Sequence, residues 1–118
     1  MIILNFPFRL ISKDNSKIVN RQGRFFLTKE YKEFEAKIKS FAILQYQGKP
    51  LAGPVSVEIE ANFANKVHAD LFNLPKSVMD SLQGVAFIND RQIKAGKIIV
   101  VECSQGDSFR VKIRNLRK

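Results

Sequence analysis

The chain has no tryptophan, one cysteine (Cys103) and one histidine (His68) in 118 residues. A lone cysteine excludes an internal disulfide, and one histidine without a cysteine cluster cannot supply a zinc site. Cys103 falls in an apolar run, so we expect a buried, inert thiol. For His68 the simplest expectation is an exposed loop residue. Glycine-rich phosphate loops of the Walker or dinucleotide type are missing, and no Ser/His/Asp triad can be assembled. Apolar runs stop short of the roughly 18 residues that suggest a membrane span. Residues 1–7 are too short, and lack the basic start, for a secretory signal. These absences predict a cytoplasmic protein with no membrane segment.

Acidic residues are also scarce. Lys and Arg total 20 against 11 Asp and Glu, a net charge of +9. Such an excess attracts polyanions through counterion release whatever their sequence. Nucleic acid fits better than an anionic membrane, because no strongly basic amphipathic helix stands out. What is plentiful is phenylalanine: ten residues, within a 45% hydrophobic composition, predict a core built partly on Phe rings. The length suits a single domain over residues 1–118.

The pattern along the chain predicts α+β, a largely antiparallel or mixed sheet with two helices packed on it. Residues 2–11 read as a strand, edge or bulged at Pro7. A turn at 13–16 and short strands at 17–20 and 23–27 follow. Thr28 is a plausible N-cap for a helix to about residue 47, with an apolar stripe of Phe34, Ile38 and Phe41. Glu33/Lys37 and Glu35/Lys39 are spaced as i,i+4 pairs. Residues 55–63 alternate apolar and polar, a strand with one wet face. Asn73 is expected to cap a second helix, with Pro75 in its first turn and Leu74, Val78 and Leu82 facing the core. Gly84 marks its end. Residues 93–103 read as a strand with a bulge near Ala95–Gly96. A hairpin turn at 105–108, a return strand at 109–113 and a basic tail at 114–118 complete the pattern.

The chemistry concentrates between His68 and Gln92. Asp70 precedes the second helix, Lys76 lies in its first turn, Asp80 one turn later, and Asp90 in a polar turn beyond it. A chain that leaves along a helix of about ten residues and returns can bring Asp70 and Asp90 together. Two carboxylates would suit a hard cation such as Mg²⁺, its shell completed by water and phosphate oxygens. The duller alternatives are that Asp70 and Asp90 are turn residues and that Asp80 pairs with Lys76 on the helix surface. Phe25, Phe26 and Phe72 with nearby cations could serve a single-strand binder, although core positions are the commoner use of such rings.

The run Asp70-Leu71-Phe72-Asn73-Leu74-Pro75-Lys76, followed by Asp80, Gly84 and Asn89-Asp90-Arg91-Gln92-Ile93, resembles the RusA family of Holliday junction resolvases. Its pattern is D-x-D-N-x-x-K, a helix with an internal Asp, then a D-D-x-Q-V-like turn. Arg21-Gln22-Gly23-Arg24, Leu27-Thr28 and Tyr31 resemble its N-terminal half. The resemblance implies one RusA-like domain over residues 1–118. It implies a homodimer that binds four-way DNA junctions and nicks two opposing strands with Mg²⁺, in recombination and repair. Carried across, the catalytic residues are Asp70, Lys76 and Asp90. Metal ligands are Asp70 and Asp90, with Asp80 a further candidate. Arg21, Arg24, Lys66, Lys76 and Arg91 are the candidate DNA contacts.

This chain departs from the pattern at Phe72, where the family has its second motif aspartate, and at Asn89, where a further Asp is common. Residues two apart on an extended segment point the same way, so Asp-x-Asp offers two carboxylates to one ion, and here one is gone. The site then recruits Asp80, Glu58 or Glu60, cuts slowly, or only binds branched DNA.

Overall fold

The computed structural model describes residues 1–13, 17–19 and 21–116, with residues 17–19 and 25 described through their backbone alone. In chain order the elements are β1 (Ile2–Phe6), β2 (Lys17–Val19), β3 (Phe25–Leu27), α1 (Lys29–Gln45), β4 (Val55–Asn62), α2 (Pro75–Leu82), β5 (Ile93–Val101) and β6 (Ser108–Asn115). Single 3-10 turns at Leu71–Asn73 and Asp90–Gln92 precede α2 and β5. The α+β expectation holds: a four-stranded mixed sheet carries both helices, and β2 and β3 form a separate antiparallel pair.

Strand order is β1-β6-β4-β5. β4 is central, antiparallel to β6 and parallel to β5. The expected hairpin at 105–108 is therefore not one. The chain leaves β5, crosses the end of β4 and enters the sheet on its other side. A parallel β4–β5 pair needs a crossover, which α2 supplies, and β6 pairs with the far side of β4, leaving β5 at the sheet edge. The bulge does occur: Val55 pairs with Ile93 but Ser56 with Ala95, leaving Lys94 as the extra residue.

Local signals explain the boundaries. β1 stops at Phe6, not at residue 11, because Pro7 has no N–H to continue the ladder. Thr28 caps α1, its Oγ1 accepting from the Tyr31 amide at 3.1 Å. The helix ends at Gln45, two residues short of expectation, where Tyr46 turns extended. Gln45 reaches back to the outer edge of β1. Its Oε1 accepts from the Asn5 amide at 2.7 Å, and its Nε2 donates to the Asn5 carbonyl at 2.8 Å. Gly84 takes a φ of +86° after α2, a conformation open to glycine. Of the basic tail, Leu116 is tied by its amide to Pro54 O at 2.9 Å, and residues 117–118 lie outside the described residues. So do residues 14–16 of the expected turn and Asn20.

Alternation puts Ile2, Leu4 and Phe6 of β1, Val55, Val57, Ile59 and Ala61 of β4, and Phe109, Val111 and Ile113 of β6 under the helices. Tyr31, Phe34, Ile38 and Ala42 of α1 and Leu74, Val78 and Leu82 by α2 bury against them. Phe6, Phe8, Phe34, Phe41 and Phe109 form one cluster. Phe109 stacks on Phe6 at 4.5 Å between centroids and meets Phe8 edge-on at 5.4 Å. Lys37 sets its ammonium 4.4 Å from the Phe8 centroid, while Glu35 and Lys39 pair at 3.6 Å as the spacing predicts. Phe109→Ala should cost about 3–5 kcal/mol, read as a lower denaturation midpoint. A loss under ~1 kcal/mol would show that the cluster does not hold the sheet to α1.

Candidate functional site

Two chain segments converge on one groove. The segment after β4 runs back along β5. Its 3-10 turn places Phe72 opposite Gly96, Lys97 and Ile98, and α2 adds Pro75 and Met79. Val57, Ile59 and Ile93 complete a groove of about 210 Å³. Phe72 stands two residues from Asp70, and Ile93 three from Asp90. Phe72 and Ile93 thus bring the segments that carry Asp70 and Asp90 to this groove; neither aspartate lines it, and both are exposed.

Asp70 caps the 3-10 turn by its backbone, its carbonyl accepting from the Asn73 amide at 2.9 Å. Asn73 lies inside that turn and is not the cap of α2, which Leu74 occupies with Pro75 as first residue. Proline at that position needs no N–H, so the helix starts without a side-chain cap. Lys76 follows one residue later and is exposed.

Asp90 is set by a residue that the motif analysis left without a role. Gln92 Oε1 accepts from the amides of Ile88 and Asn89, both at 2.8 Å. Its Nε2 donates to the carbonyls of Leu51 at 2.7 Å and Gly53 at 2.8 Å. Asn89 Oδ1 accepts from the Arg91 amide at 2.9 Å. Together these form a capping box whose glutamine also ties the turn to the entry of β4. The sequence signal was available: Asn-x-x-Gln is a cap spacing. It also gives Asn89 a use that needs no charge. Gln92→Ala should lower stability by about 2 kcal/mol, since four backbone groups lose a partner. Denaturation of the variant beside wild type measures this, and an unchanged midpoint would deny the role.

His68 fixes the other segment. It is half-buried rather than exposed, stacked on Phe63 at 4.4 Å. The Arg9 guanidinium lies 5.0 Å from the same ring, and Arg9 also donates to the Val67 carbonyl. His68 Nδ1 faces the Ala69 carbonyl at 2.8 Å and Nε2 faces Glu102 at 2.6 Å. With acceptors at both nitrogens, first the Ala69 carbonyl and then Glu102, the imidazolium is favoured and the pKa rises above its ordinary 6.5. The resulting stability is complete below pH 6.5 and is lost as pH climbs through the raised value. Glu102→Gln should flatten that pH dependence in unfolding measured on both sides of 6.5. A slope unchanged by the substitution would remove Glu102 from the account.

Other expectations shift. Asp80 is held by Lys13, Nζ to Oδ2 2.9 Å, which pins the segment after β1 to α2. Glu58 and Glu60 cannot join Asp70. They alternate with Val57 and Ile59, so they face the opposite side of the sheet, where they meet Arg110 and Lys112. Cys103 is exposed, not buried, with φ +56°. β5 stops at Val101 and the chain bulges there, because the Ser104 amide returns to bond Phe63 O at 3.0 Å. Phe72 is 89% exposed and Phe26 45%, so neither is a core ring. The candidate DNA contacts Arg21, Arg24, Lys66, Lys76 and Arg91 are all exposed, Arg21 and Arg24 lying between β2 and β3.

Among the described residues, no three His, Cys, Asp or Glu side chains gather as a metal-binding cluster. Exposed carboxylates such as Asp70 and Asp90 are hard oxygen donors of the kind a divalent cation takes alongside water and phosphate oxygens.

The sequence model of the family described as endodeoxyribonuclease RusA matches residues 7–114. The chain belongs to the RusA family. The match covers every element except β1 and the last residue of β6. RusA-family membership makes the protein an endodeoxyribonuclease of the Holliday junction resolvase type, acting on branched DNA in recombination. No individual curated protein matches the chain. Among the described residues, no helix is long and apolar enough to cross a membrane.

Proposed function

We propose that this RusA-family chain, as one domain over residues 1–118, resolves four-way DNA junctions by Mg²⁺-dependent paired nicking. The observation that carries the reading is the convergence of the Asp70 and Asp90 segments on one groove in a protein of net charge +9. Asp70 and Asp90 would hold Mg²⁺, which when bound polarises a phosphodiester and activates water. Lys76, exposed at the start of α2, would hold a backbone phosphate, aided by the positive end of the helix. Arg21, Arg24, Lys66 and Arg91 would follow the DNA backbone. Nicking two opposing strands of a symmetric junction needs two equivalent sites, so the working form is a homodimer. Asp80 is given to Lys13 and is not a ligand in this reading. A cytoplasmic setting, in recombination and repair, would also keep exposed Cys103 a thiol.

Synthetic four-way junctions incubated with protein and Mg²⁺ should be nicked in pairs. Asp70→Asn and Asp90→Asn should each lower cutting about a hundredfold or more, near 3 kcal/mol of barrier, while junction binding persists. No paired nicks at saturating protein would sink the proposal.

A second reading has its own observation: an exposed ring at position 72 where the family carries a carboxylate. The chain would then be a weakened or inactive nuclease that binds junctions. Phe72→Asp separates the two. Restored or strongly raised cutting supports the weakened nuclease, and no change disfavours a simple missing ligand.

A further inference from the structure

The apolar ring at position 72 has a use of its own. Phe72 is 89% exposed, yet it is presented rather than loose. The 3-10 turn beneath it closes through the Asn73 amide to Asp70 O at 2.9 Å, and Leu74 beside it is fully buried. The ring stands at the rim of the groove lined by Val57, Ile59, Pro75, Met79 and Ile98. A large apolar side chain held in water beside an apolar groove marks a contact surface.

Its surroundings name the chemistry of the contact. Lys76 is exposed four residues on, and the chain carries +9. The occupant must be an anion that also offers a flat apolar face. A nucleobase does, provided that it is unstacked. Bases within a duplex already cover both faces, whereas a branch point exposes them. Aromatic side chains stack on such bases or wedge between steps.

We infer that Phe72 stacks on an unstacked base at the branch point, so that the position which in the family holds a carboxylate here reads branch structure. The inference rests on the junction-resolvase reading and deepens it. It makes the ring a determinant of preference for branched over plain duplex DNA.

The absence of tryptophan allows a direct test. Phe72→Trp gives the protein a single indole, at the position in question. Binding to a synthetic four-way junction without Mg²⁺ should quench its emission, and plain duplex should not. Phe72→Ala, free of folding risk at so exposed a site, should lower junction affinity about tenfold and leave duplex affinity unchanged. In wild type, 2-aminopurine beside the crossover should change its emission on binding, 2-aminopurine in mid-arm should not, and Phe72→Ala should abolish the difference. If wild type prefers junctions and Phe72→Ala keeps both that preference and the signal, the stacking inference falls alone. If wild type shows no preference for junction over duplex, the resolvase reading falls and takes the inference with it.

Discussion

Because neighbouring residues of β4 point to opposite sides of the sheet, each of its positions is committed either to the core or to a charged surface. Val55, Val57, Ile59 and Ala61 support the helices. Glu58 and Glu60 meet Lys112 and Arg110 of β6, and Glu58 also stands opposite Lys97 of β5. A central acidic strand between two basic ones suits cross-strand pairing, and it keeps these glutamates away from Asp70. The strand's parallel pairing with β5 then requires the α2 crossover, and that crossover carries the Phe72 and Ile93 segments to one groove.

Precision at that groove comes from polar side chains outside the motif's charged positions. Gln92 holds the Asp90 turn to the entry of β4, and His68 holds the Asp70 segment to Glu102 just beyond β5. One anchor lies at each end of β5. The carboxylates themselves stay in water, which suits groups that meet a solvated ion and a phosphate. Stability is thus concentrated in the supports, and the exposed groups remain open to ligand.

The elements that local chemistry dictates were legible in the chain. Thr28 starts α1, Leu74, Val78 and Leu82 face inward, Gly84 ends α2, and the alternation of β4 marks its wet face. The motif also singled out Asp70, Lys76 and Asp90, which the structure leaves exposed. Strand order was not legible, because β6 passes to the far side of β4 and nothing in the sequence of 105–108 distinguishes that path from a hairpin. Nor could periodicity foresee that Cys103 would be bulged out by the Ser104 hydrogen bond, or that His68 would find Phe63 and Glu102. Those partners are 5 and 34 residues away, so tertiary packing decided both. Phe72 misled for a different reason: a ring's usual burial says nothing about a ring on a turn beside a site.

The clamp of Gln45 on Asn5 has a consequence beyond α1. A sheet edge is a template on which further chains can add by backbone pairing. At Asn5 both the amide and the carbonyl are already engaged by a side-chain amide, which mimics one residue of a missing neighbour. The helix that supports the core thereby also blunts one rim of the sheet against self-association, without placing a charge or a proline within the strand.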